Sequence, residues 1–195
     1  FRNIIMSKLE TNQVDPATGT TLTLGTSGDT ISIPSGVTLA NSGTATGFGI
    51  SNLTPAFMMR RASDQTGLAD DTATKLVFDT DYYDSNSATD TSTGRFTVPS
   101  GEGGNYYIFA AVGALAAGQI RGGSLQIYKN GSALWYPQWQ FGSAQSQGVY
   151  PTYGIVTLSA ADYVEIYAKI NVDSGTSDAA NSNGYNTYFG GFKIS

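Results

Sequence analysis

The chain holds no histidine and no cysteine, so imidazole and thiol chemistry are both excluded. That removes thiolate nucleophiles, disulfides, the usual zinc sites and serine–histidine triads together. A carboxylate-only enzyme would need a glycosidase-type pair at a fixed separation, drawn from Asp70, Asp71, Asp79 and Asp81. Nothing in their spacing fixes such a separation, and the only glutamates are Glu10, Glu102 and Glu165. Catalysis is therefore not expected. Asp and Asn crowd two stretches, "SDQTGLADDTATKLVFDTDYYDSNSATDTS" and "NVDSGTSDAANSNGYN". Hard oxygen ligands of this kind could hold Ca²⁺, which takes six to eight of them. There is no twelve-residue EF-hand loop, however, and solvated loops with capped turns are the plainer reading. No cofactor is expected. "GEGGN" at 101–105 lacks the Lys-Ser/Thr and the following helix of a phosphate loop, so it reads as a turn.

The densest recognition chemistry is "LWYPQWQFGSAQSQGVYPTYG", which carries Trp135, Tyr136, Trp139, Phe141, Tyr150 and Tyr153 among glutamines and serines. Aromatic faces suit the C–H faces of sugar rings, and amides satisfy the hydroxyls. The competing reading places these rings in a core or at an axis between subunits, where they bury the most area. If part of the stretch binds, the expected site is a loop from Gln145 to Tyr150, with Gln145, Gln147 and Tyr150 as contacts, because loops carry variable contacts.

The elements that must position these residues are strands. The chain has 195 residues and 24 glycines, Thr and Ser in every linker, and aromatics weighted towards Tyr. Gly and Thr are poor helix formers, whereas Thr, Tyr and Phe suit a pleated surface. The net charge of −5 and the scattered ten Lys and Arg give no basic stripe for nucleic acid. No apolar run approaches the length of a membrane span. The start, "FRNIIMSKLETN", lacks a signal peptide's apolar region. The five residues before Met6 resemble neither a tag nor a targeting segment.

Two textures divide the chain, which predicts an N-terminal segment of residues 1–53 and a second domain of 54–195. In the first, the pairs Leu22/Leu24, Ile31/Ile33 and Val37/Leu39 alternate with Thr or Ser and are followed by turn residues. Period-two alternation predicts short strands. Six aliphatics in close to thirty residues cannot offset the ordering entropy alone, so the segment is expected to bury its thin apolar face against other chains. In the second domain nine strands are expected, near 56–60, 75–79, 95–98, 106–112, 124–129, 134–141, 153–158, 163–170 and 187–194. "IFAAVGALAAG" at 108–118 reads as a strand running into a small-residue bend. Val164, Ile166, Ala168 and Ile170 share one face, with Tyr163, Glu165, Tyr167 and Lys169 on the other, the pattern of a half-buried antiparallel strand. Asn130-Gly131 predicts a two-residue hairpin turn. So many short strands make a β-sandwich or barrel.

Five motifs in order then carry a resemblance. "GRFTVPSGEGGNYYIFAAV" resembles the G-x-F-x-x-P…G-x-Y-x-F signature of the complement globular-head domain, a tumour-necrosis-factor-like jelly roll, through Gly94, Phe96, Pro99, Gly104, Tyr107 and Phe109. "KLVFDTDYYD", "LQIYKNGSAL", "LSAADYVEIYA" and "YFGGFKIS" resemble its further strands, with Ala161 where the family has Gly before the Asp. The resemblance spans Thr54 to Ser195 and implies an all-β antiparallel jelly-roll sandwich that assembles as a homotrimer. It implies nothing of complement function.

"GDTISIPSGVTLANSGTATGFG" resembles the Thr/Gly-rich segment of bacteriophage fibre and decoration proteins. This implies a β-rich arm in which Leu22, Leu24, Ile31, Ile33, Val37 and Leu39 face a shared threefold axis or a docking surface. The two resemblances together imply a non-enzymatic virion protein: a trimeric tail fibre or spike whose head contacts a host glycan or protein. Its arm would bind other virion proteins. A capsid decoration or head-fibre protein is the alternative, and a secreted lectin-like module is disfavoured by the missing apolar leader.

Overall fold

The computed structural model describes residues 14–38, 40–43, 54–180 and 186–195, without the side chain of Ala144. The chain divides into two units, Phe1–Phe48 and Gly49–Ser195. In the first, the described residues form turns and bends and no strand, which corrects the expectation of a β-rich arm. The turn chemistry is present: Asp29 accepts from Thr26 N at 2.7 Å, and Val37 N donates to Pro34 O at 3.2 Å. What is missing is a ladder, because a strand needs a neighbouring backbone and these short segments do not supply one to each other. Leu22, Leu24, Ile31, Ile33 and Val37 are all exposed. Leu39 lies outside the described residues.

The second unit is built of strands alone among its described residues. They are β1 (Ala56–Arg60), β2 (Gln65–Leu68), β3 (Thr74–Lys75), β4 (Thr80–Asp84), β5 (Thr89–Asp90) and β6 (Arg95–Thr97). Then follow β7 (Gly104–Lys129), β8 (Ser132–Trp135), β9 (Gln138–Leu158), β10 (Tyr163–Val172), β11 (Ser177–Ala180) and β12 (Tyr188–Lys193). All pairings are antiparallel, in the order β4-β1-β12-β7-β10-β6-β5, with β9 and β8 along the other edge of β7. Although β1 and β6 stand far apart on that path, Phe57 of β1 stacks on Phe96 of β6 with centroids 4.1 Å apart. Phe189 and Tyr106 join the same cluster. The sheet therefore folds over on itself into two facing layers with the core between them, an antiparallel jelly-roll sandwich.

β7 corrects the expected bend. It runs unbroken for 26 residues and serves both layers: Tyr106–Ala111 pair with β12, and Ile120–Lys129 pair with β10. Inward residues are even-numbered at Tyr106, Ile108, Ala110, Val112 and Ala114, but odd-numbered at Leu125 and Ile127. Register shifts between Leu115 and Gly122 accomplish this change of parity. A bulge moves the side chains by one position, which lets one strand keep its apolar face inward as it passes from one layer to the other.

The hairpin turn is as expected, with positive φ at Asn130 (50°) and Gly131 (78°) between β7 and β8. Asp162, in the β9–β10 turn, is tied to it by bonds from Asn130 Nδ2 (2.7 Å) and Lys129 Nζ (2.8 Å), and it also caps Ser159 N. These bonds, that from Lys129 first, hold its carboxyl down at a pKa of about 2. On β10 the apolar face is buried as expected, and the polar face is partly covered, most fully at Glu165. Glu165 is buried and bridges Lys75 (2.6 Å) and Arg95 (2.8 Å), while Arg95 lies over the Tyr163 ring. Burial opposes ionisation of Glu165, and the two cations outweigh it and hold the pKa below its ordinary value.

Candidate functional site

An uncovered apolar feature of the head is the outward face of the layer β9–β7–β12–β1. Alternation along these strands turns Tyr107 and Phe109 away from the core. Tyr107 lies opposite Ile155 of β9 and Phe192 of β12, and Phe109 lies opposite Tyr153 and Gly190. Ring centroids separate Tyr107 from Phe192 by 5.6 Å, from Phe109 by 6.0 Å and from Tyr153 by 6.4 Å. A Cβ at Gly190 would stand 2.6 Å from Phe109 Cζ and 2.9 Å from the Phe57 backbone oxygen, so a larger residue there would have to displace the ring. Tyr153 is 67% and Ile155 60% exposed, and Tyr83, beside Met58 on the next strand pair, is 54% exposed. Side chains of this size usually sit in a core.

The aromatic-rich stretch divides between interior and surface. Trp139 stacks on Tyr150 at 4.6 Å, Phe141 packs against the same ring, and all three lean on the core. Trp135, Tyr136 and Tyr153 stay exposed. Gln145 and Gln147 do not occupy a loop. They sit within β9, paired with Ile120 and Leu115 of β7, because the length of β7 imposes a ladder on residues whose own composition favours a turn. Their side chains are exposed, whereas Tyr150 is half-buried against Trp139.

The four aspartates weighed for catalysis each hold a piece of backbone or a neighbour. Asp70 accepts from Val172 N (2.8 Å), Asp71 pairs with Lys169 (3.1 Å), Asp79 caps Ala62 N (2.6 Å), and Asp81 accepts from Thr89 Oγ1 (2.7 Å). In the second Asp/Asn stretch, Asp173 caps Gln119 N and Asp178 caps Gly67 N, while residues 181–185 lie outside the described set. Among the described residues no three acidic side chains converge as metal ligands would. The turn expected at 101–105 lies earlier, from Pro99 to Glu102, with Glu102 N bonded to Pro99 O, and Gly104 and Asn105 already belong to β7, paired with Leu158 and Thr157 of β9. Missed by sequence reasoning were Tyr107, Phe109, Tyr188 and Phe192 as outward rather than core residues. The signal was in their odd–even placement against Tyr106, Ile108 and Phe189.

No protein-family model matches the sequence, and no curated protein matches it. Solved structures do match the fold. The globular domain of zebrafish complement 1qA is 19% identical, with a TM-score of 0.50, over 72% of this chain and 98% of that one. Murine APRIL is 11% identical, with a TM-score of 0.51, over 71% and 98%. The Eiger tumour necrosis factor of S. frugiperda is 13% identical, with a TM-score of 0.51, over 72% and 94%. The head therefore has the complement-head and tumour-necrosis-factor jelly-roll fold, and identities this low speak to the fold alone.

Proposed function

We propose that this chain is a non-enzymatic structural protein of a bacteriophage virion: a homotrimeric tail fibre or spike. Residues 1–53 form its attachment and trimerisation arm, and the head, residues 54–195, meets the host surface. The observation that supports this most is apolar surface left uncovered in one chain at two places. One is the arm, with Leu22, Leu24, Ile31, Ile33 and Val37 exposed; the other is the aromatic sheet face around Tyr107, Tyr153 and Ile155. A threefold assembly covers both by repeating one contact, in which the aromatic face of one copy meets a different surface of the next and the ring closes. The arm's partners are then its own copies and other virion proteins, and the head is left free to contact a host glycan or protein. Each of the four candidate aspartates is engaged in a local structural bond, which supports a non-enzymatic role.

Electron microscopy of purified particles, with gold-labelled antibody against residues 54–195, tests the placement. Label on the tail is the expected result. Label spread over the capsid lattice would make this the alternative, a decoration or head-fibre protein, and particles free of label would contradict a virion role altogether.

A further inference from the structure

In the layer opposite the aromatic face, strands β9, β7 and β10 form a polar cleft of about 340 Å³. Its geometry follows from register. Gly122 of β7 lies between Gln140 of β9 and Asn171 of β10, and Ser124 lies between Gln138 and Lys169. Gly122 lets β9 approach closely, since a Cβ there would stand 2.5 Å from Trp139 O, and the cleft is lined by the amides of Gln138, Gln140 and Asn171. Asp71 closes one side: its N–H bonds Ile170 O, and its carboxylate holds Lys169 at 3.1 Å. Arg121 is likewise held by Asp173 at 3.1 Å.

From this arrangement we propose that the cleft is a binding site for a neutral sugar unit of a surface glycan. The proposal rests on the reading of the head as a host-contacting module and names the ligand class that such a module would take. Three carboxamides, Gln138, Gln140 and Asn171, present paired donors and acceptors, which is what vicinal hydroxyls require. Both cations at the cleft are already charge-balanced by aspartates, so the cleft offers an anion little net attraction, whereas a neutral polyol needs none. The volume is at the small end of the roughly 300–1,000 Å³ range of ligand pockets, which suits one or two rings. Weak single-site binding is multiplied when a trimer presents three clefts.

The test is saturation-transfer NMR on the full chain with the methyl glycosides of glucose, galactose, mannose and N-acetylglucosamine. The expected result is saturable transfer to at least one of them, weakened about tenfold or more in Gln140→Ala/Asn171→Ala, with particle mass and melting unchanged in that variant. Absence of transfer from all four up to about 50 mM would overturn the proposal, and so would transfer that survives in the cleft variant. Loss in Gln145→Ala/Gln147→Ala alone would give the sugar to the exposed stretch of β9 and also overturn it. Inorganic phosphate competing with the glycoside at millimolar concentration would assign the cleft to anions instead. Label on the capsid in the microscopy above would remove the host-contacting role without changing glycoside transfer, so the two failures are distinguishable.

Discussion

Replacing Ile155 by Asp should turn the assembly into folded single chains. Ile155 is 60% exposed in one chain, opposite Tyr107 and next but one to Tyr153 on the same face. Covering a whole isoleucine contributes about 1.5–3 kcal/mol, so covering the exposed part contributes about 1–2 per chain and about 3–6 per trimer. A carboxylate buried in its place adds a desolvation cost of several kcal/mol per copy. Together these weaken three-chain association by on the order of 10 kcal/mol, about seven orders of magnitude in the association constant. The single chain should hardly notice, since exposed substitutions usually change stability by less than about 0.5 kcal/mol. Sedimentation equilibrium at micromolar concentration, with circular dichroism on the same sample, reads both effects. Ile155→Val, which removes one methylene, should remain assembled. A variant Ile155→Asp that assembles like the parent would place the interface elsewhere, and one that unfolds would show that this side chain supports the single chain after all.

Ile31→Asp/Ile33→Asp should abolish incorporation into particles while a head of residues 54–195 keeps its melting temperature; normal incorporation would mean the arm's apolar residues stay uncovered. Asp162→Asn should cost about 1 kcal/mol at pH 7, a figure discounted for the solvent-facing part of the Lys129–Asp162 pair. Because the folded pKa of about 2 lies below the ordinary 3.8, the ionised carboxylate's contribution is full above about pH 4 and vanishes as pH falls through 2. Urea titrations of the two proteins should accordingly diverge at neutral pH and converge in acid, and a gap independent of pH would refute the assignment. Ala161 sits at φ 68°, a conformation that costs a non-glycine residue about 1 kcal/mol, so Ala161→Gly should raise stability by a few tenths of a kcal/mol after glycine's entropy loss; a lower urea midpoint would argue against strain there.

Legibility in the sequence followed the reach of the forces involved. β10 was readable because Val164, Ile166, Ala168 and Ile170 alternate against polar residues, and the Asn130-Gly131 turn because its φ angles exclude most other pairs. β7 was read as two strands separated by a bend because Gly113, Gly118, Gly122 and Gly123 hide a continuous ladder that its neighbours impose. β2 (QTGL) and β11 (SDAA) have no apolar alternation, and they owe their strand state to pairing with each other and, for β11, with β7. The Gln145–Tyr150 stretch looked like a loop for the same reason. The amide cleft was invisible, since it exists only through the register that sets residue 122 beside residues 140 and 171. The arm failed in the opposite direction: its alternation is real, but a single chain offers it no partner.

Association of three copies is tested most directly by the mass of the full chain in solution, read by light scattering at micromolar concentration. The expected mass is about three times the 20.5 kDa of one chain, falling to that of a single chain for Ile155→Asp. A parent protein that scatters as a single 20.5 kDa chain at that concentration would contradict it.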